Sequence, residues 1–123
     1  MINIKEKSRE FTPVEQYCMT ASPEIISMKD VEDGCVIHVN GFLIFEDVKE
    51  DGISVEMLSI IDTGMKAYVA QSDTFRRSFM DIRGIMGDEF PLKKISGVSK
   101  GGRPYVNCVL SIEDVKSLNG TQA

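Results

Sequence analysis

The sequence predicts a mostly-β domain, a five-stranded barrel with one α-helix between its third and fourth strands, plus an N-terminal arm or extra strand. Three observations predict it. A long apolar run over residues 35–47 is interrupted by Gly41, a capped helical stripe occupies residues 72–86, and two β runs joined by Ser99-Lys100-Gly101-Gly102 follow.

Size and composition set the frame. A chain of 123 residues fits one domain and can bury a core without staples. We expect a single domain over 13–115, with 1–12 a flexible lead-in and 116–123 a flexible tail. The apolar share is 42% and the charged share 27%, which is ordinary globular composition. No apolar run approaches the ~18 residues of a membrane helix, and MINIKEKSRE lacks the apolar core of a secretory signal. A soluble protein of the bacterial cytoplasm is the expectation. Cys18, Cys35 and Cys108 form no C-x-x-C pair and read as reduced, buried thiols. His38 is the one histidine, so a His-rich metal site is excluded, and no metal or cofactor is expected.

The elements follow in chain order. Val14–Ser22 reads as a short strand ended at Ser22-Pro23, because proline cannot donate to a ladder. After the turn Glu32-Asp33-Gly34, residues Cys35, Ile37 and Val39 alternate with His38 and Asn40 until Gly41 invites a bend or bulge. A small barrel needs that corner, since a bent strand can serve both halves of the sheet. In ISVEMLSIID, the residues Ile53, Val55, Met57 and Ile61 share one parity and form the second strand; Asp62-Thr63-Gly64 turns the chain into the third, MKAYVA. Ser72 or Asp73 caps a helix whose stripe is Phe75, Phe79, Ile82 and Met86, and Gly87 stops it. FPLKKISGV and RPYVNCVLSI close the chain as a hairpin, with Val106, Cys108, Leu110 and Ile112 inward.

This order is the layout of the OB-fold, a five-stranded Greek-key barrel. An α+β sandwich that uses the N-terminal strand has the same local pattern.

Charge and aromatics point to binding. Net charge is −5, yet residues 1–62 carry 5 basic and 13 acidic side chains, while residues 63–123 carry 9 basic and 6 acidic. A locally basic half can meet phosphate even in an acidic protein. Tyr105 and Asn107 point out beside Arg103, Lys100, Lys93 and Lys94, and Tyr68 follows Lys66 on the third strand. Phe42 and Phe45 flank the bend, and parity does not say which faces out. OB-folds stack bases on aromatic side chains while Lys and Arg track the phosphates. No G-x-S-x-G, Walker A or Rossmann motif occurs, so the expectation is a non-enzymatic protein. The acidic run 46–51 lacks the spacing of a calcium loop and reads as a solvated turn.

The segments KDVEDGCVIHVNGFLIFED, GMKAYVAQSDTFRRSFMDI and FPLKKISGVSKGGRPYVNCVLSI resemble the small single-stranded-DNA-binding proteins of protein-primed phages of Gram-positive bacteria. The overlap runs from about Lys29 to Ile112. The resemblance implies a protein that coats single-stranded DNA in phage or mobile-element replication, with Phe45 and Tyr68 at the family's stacking positions. A family aromatic in the turn after the first long strand has no counterpart in VKEDGIS. The N-terminal arm is longer than the family pattern and is a candidate for pairing with a neighbouring subunit in a homo-oligomer. An acidic tail ending in Phe, which recruits partners in bacterial counterparts, is absent.

The leading expectation is sequence-tolerant binding of single-stranded DNA, with RNA also admitted, through Phe45, Tyr68, Tyr105, Lys66, Lys93, Lys94, Lys100 and Arg103. The alternative is an acidic protein-binding module that modulates a host protein, suggested by the net −8 of the first half.

Overall fold

The computed structural model describes residues 2–119, with side chains over 2–115; residues 120–123 of the expected tail lie outside the described residues. The elements are β1 (Ile2–Lys7), α1 (Pro13–Thr20), β2 (Ile26–Ser27), a 3-10 turn (Met28–Asp30), β3 (Val36–Val48), β4 (Ser54–Asp62), β5 (Ala67–Ala70), α2 (Asp73–Met86), β6 (Phe90–Val98), β7 (Pro104–Leu110) and α3 (Ile112–Asn119). All strands join one curled sheet in the order β2-β5-β4-β3-β6-β7, with β1 added to β3.

The fold is mostly β, its sheet has seven strands rather than five, and a helix, α2, lies between β5 and β6. The long strand β3 organises the curl. Its first four residues, 36–39, pair with β6, whereas residues 43–47 of the same edge pair with β1; β4 runs along the other edge. The ladder to β4 shifts register between Val39 and Gly41. An extra residue there inverts the pleat, because successive side chains alternate faces. Before it the odd residues Ile37 and Val39 enter the main core; after it the even residues Phe42 and Ile44 do.

That main core fills the space between the curled sheet and α2. Phe42, Phe75 and Phe79 are fully buried with Leu58, Ile60, Leu92 and Cys108. The Phe79 ring lies 5.2 Å from Phe42 at 75°, the edge-on geometry that aromatic quadrupoles favour, and 5.4 Å from the ring of Phe90, tilted at 48°. The Ser72 hydroxyl accepts the Phe75 N–H at 3.2 Å, and Gly87 ends the helix at φ 90°, where glycine carries no Cβ penalty.

A second core lies on the opposite face of the sheet. Phe11 and Met19 cover Leu43, Phe45, Ile61 and Ala67. Strand β4 is therefore buried on both faces: Leu58 and Ile60 enter the main core, Met57 and Ile61 the second. Single-parity reading of this strand fails for that reason. Ile53, which shares the parity of Val55 and Met57, lies just before β4 and is 60% exposed.

The N-terminal segment supplies the extra strand of the expectation and departs from it in the element that follows. Residues 2–7 form β1 on the chain's own β3. Val14–Ser22 is not a strand, since Pro13–Thr20 is helical. Thr12 caps α1 in a capping box: its hydroxyl accepts the Glu15 N–H at 3.1 Å and the Glu15 carboxylate accepts the Thr12 N–H at 2.9 Å. Pro13 takes the first helical turn, where a missing N–H costs nothing. At the other end, Ile112 does not continue β7 inward. It opens α3 and is 59% exposed.

Candidate nucleic-acid interface

The eight residues expected to meet single-stranded DNA fall into three groups. Phe45, Tyr68 and Lys94 are 3%, 7% and 4% exposed. Phe45 lies under Met19 and Phe11 in the second core, and Tyr68 belongs to the main core. Neither ring offers a free face to a base. Burial, with the Asp62 carboxylate nearby, raises the Tyr68 phenol above its ordinary pKa. Lys94 shares the inward parity of Leu92. Its ammonium donates to the Val31 carbonyl at 2.6 Å and lies 3.0 Å from Asp33 Oδ1, so it ties the 31–35 segment to β6 rather than meeting phosphate. The Ser96 hydroxyl, donating at 2.5 Å, and Lys94 hold the Asp33 carboxyl below the usual range.

Lys66 is exposed in the β4–β5 turn beside Cys18, Ile25 and Met65, apart from the other cations. The remaining four come together on the β6–β7 hairpin. Tyr105 pairs with Gly97 across the ladder, and its ring lies over that glycine: a Cβ at residue 97 would meet the Tyr105 hydroxyl at 2.5 Å. The glycine gives the ring its seat. Tyr105 remains 39% exposed. Lys93, Ile95, Asn107 and Val109 share that sheet face, because paired residues point the same way. Lys100 and Arg103 extend from the loop at its end, and among the described residues Lys93, Lys100 and Arg103 have no ion pair.

Beside this face a groove of about 610 Å³ separates the β2–β5 end of the sheet from β6 and β7, with Tyr105 and Lys94 also in its lining. Met28, Val69, Ala70 and Val106 supply apolar walls; Ser27, Lys29, Gln71 and Ser72 supply polar rims. Lys29 is exposed and free of ion pairs among the described residues. No local pattern in the sequence signals this groove. It forms because the sheet ends at β2 on one side and β7 on the other, with no ladder closing the curl, and the spacing of distant strand edges is not written in either strand.

Other candidates carry less. His38 is exposed on β3 in a shallow cleft with Glu89, Phe90 and Met86. Among the described residues no group of three His, Cys, Asp or Glu side chains is placed to hold a metal ion. Of the cysteines only Cys108 is buried, which pushes its thiol up to about 12; Cys35 is exposed and Cys18 half-buried, contrary to the expectation of three buried thiols. Among the described residues no helix is long and apolar enough to cross a membrane. Comparisons with protein families, with curated proteins and with solved structures find no match for this chain.

Proposed function

We propose that the protein is a non-enzymatic, sequence-tolerant binder of single-stranded DNA, built on an OB-type frame in which β3, β4, β5, α2, β6 and β7 take the five-strand-plus-helix order. The carrying observation is the β6–β7 face: an exposed aromatic ring seated on a glycine, with Lys93 further along the same face and Lys100 and Arg103 in the adjoining loop, none of the three in an ion pair among the described residues. Stacking on one ring supplies ~1–3 kcal/mol per base, and free cations release counterions from phosphate. A cation already held in an ion pair gives up that pair to do so, which is why Lys94 contributes to the fold instead.

The interface lies away from the face of the second and third barrel strands that OB-folds commonly use. Here that face, the outer side of β4 and β5, is occupied by α1 and the second core. Binding therefore concentrates on the hairpin and the groove next to it. A role in phage or mobile-element replication rests on the sequence resemblance.

Titration with oligo-dT at two salt concentrations tests the proposal. Affinity should fall steeply with salt, and Tyr105→Ala should cost ~1–3 kcal/mol of binding with the fold intact. Absence of any complex at low salt with folded protein would rule the reading out. A second reading, binding of a host protein, is favoured by the exposed acids Glu50 and Asp51 of the β3–β4 turn and the net −8 of residues 1–62. One stoichiometric protein partner without DNA affinity would support it.

A further inference from the structure

Strand β7 ends the sheet, so among the described residues one of its edges has no strand beside it. Main-chain hydrogen bonds fix which residues face that edge. Ser99 N–H donates to the Arg103 carbonyl and Ser111 N–H to the Pro91 carbonyl, which turns the odd-numbered residues of this segment toward β6. Lys94, opposite Cys108, spends its N–H on Cys35 and its carbonyl on Gly34, both on the β3 side. Backbone groups alternate along an antiparallel pair. Val106 and Cys108 therefore aim their N–H and C=O groups away from β6.

Two neighbouring donors are already closed. Pro104 has none, and the Cys108 N–H donates to the Asn107 side-chain oxygen at 2.8 Å. The N–H and C=O of Val106, a groove-lining residue, have no partner among the described residues. An added peptide strand would thus find the Val106 pair flanked on each side by a residue with no N–H to give. A nucleobase needs only one such pair, because its Watson–Crick edge sets a donor beside an acceptor. Thymine O4 can accept from Val106 N–H while N3–H donates to Val106 C=O. Val69 and Val106, with the edge of Ala70, offer apolar contact to the ring, and Lys29, which has no ion pair among the described residues, stands at the rim for a phosphate.

We propose that the groove holds one unstacked base of the bound strand, with its hydrogen-bonding edge on the main chain of Val106. This rests on the single-strand reading above. Each base carries an adjacent donor and acceptor on that edge, so the slot tolerates sequence.

The test compares oligo-dT with an abasic oligonucleotide of equal length. Val106→Pro removes the outward N–H, which belongs to no ladder, while keeping an apolar side chain at the groove, and proline is admitted at such edge positions. Gln71→Trp fills the groove from an exposed lining residue. Both variants should bind oligo-dT about tenfold more weakly, the loss of one hydrogen-bonded base, and the abasic strand as wild type does. In wild type the Val106 amide resonance should shift on adding oligo-dT and stay fixed with the abasic strand. Unchanged oligo-dT affinity in both variants, with binding lost in a Lys100→Glu/Arg103→Glu double variant, overturns the slot and leaves the single-strand reading standing. If wild type binds neither oligonucleotide at low salt, both fall. An amide shift produced by an extended peptide and not by oligo-dT overturns the slot in favour of strand addition.

Discussion

The ring of Phe11 occupies the space that a side chain at Gly41 would need: a Cβ there would lie 2.8 Å from Phe11 Cε1 and 2.9 Å from Cζ. Gly41 therefore does two things at one position. It sits at the register shift that bends β3, and it receives the N-terminal segment on the outside of that bend. Arg9 fixes the arrangement from above, with its guanidinium 4.3 Å from the Phe11 ring and hydrogen bonds to the Asn40 carbonyl and side chain.

Gly41→Ala should destabilise the fold by ~1–3 kcal/mol, the usual cost of overpacking a filled site. In a Phe11→Ala background the same substitution should cost much less, with only the Arg9 Nε, 3.1 Å from that Cβ, left to give way. Urea unfolding of the two single variants and the double variant measures the coupling. Additive costs would mean that Phe11 does not set the requirement for glycine.

The bend is legible in the sequence because a glycine inside an apolar alternating run marks a bulge or a close approach of another segment, and Gly41 proves to be both. The capped helix α2 and the β6–β7 hairpin are legible for similar local reasons. The covering of the sheet lies outside local signals. Nothing in the alternation of Leu43 and Phe45 tells an exposed stacking face from one buried under another element, and the residues of α1, which covers it, themselves read as a strand. The capping box of Thr12 with Glu15 is the signal that marks this helix. The site divides the same way: Tyr105 with its loop cations is readable from parity, whereas the groove depends on two strand ends failing to meet.

Phe45 and Tyr68 should behave as core residues. Phe45→Ala and Tyr68→Ala should each cost ~3–5 kcal/mol of stability, as truncation of a buried aromatic does. Under conditions where the variants stay folded, oligo-dT affinity should match wild type. A stable Tyr68→Ala variant with weakened DNA binding would return that ring to the interface.

Acid sensitivity should centre on the Arg9–Glu15 pair. Hydrogen bonding to Arg9, then to the Thr12 amide, pulls the Glu15 carboxyl from an ordinary 4.5 down to about 2. Because the folded value lies below the unfolded one, the contribution is fully present above about pH 4.5 and fades as pH falls toward 2. Glu15→Gln should therefore unfold more easily at neutral pH and show a flatter loss of stability between pH 4.5 and 2 than wild type. Thermal melts across that range check it, and parallel acid limbs would assign the sensitivity to other carboxylates.

Adjacent lysines on β6 should separate fold from binding. Lys93 lies on the face with Tyr105 and has no ion pair among the described residues, whereas Lys94 points inward onto the Val31 carbonyl and Asp33. Lys94→Ala leaves a buried carbonyl without its donor, at ~1–3 kcal/mol of stability. Lys93→Ala should leave the melting temperature nearly unchanged and reduce the slope of log affinity against log salt by ~0.7, the share of one phosphate on a single strand. Lys94→Ala, studied while folded, should keep the wild-type slope. If instead Lys94→Ala lowers the slope and Lys93→Ala does not, the strand runs over the inward side of β6, and the interface built around Tyr105 is misplaced.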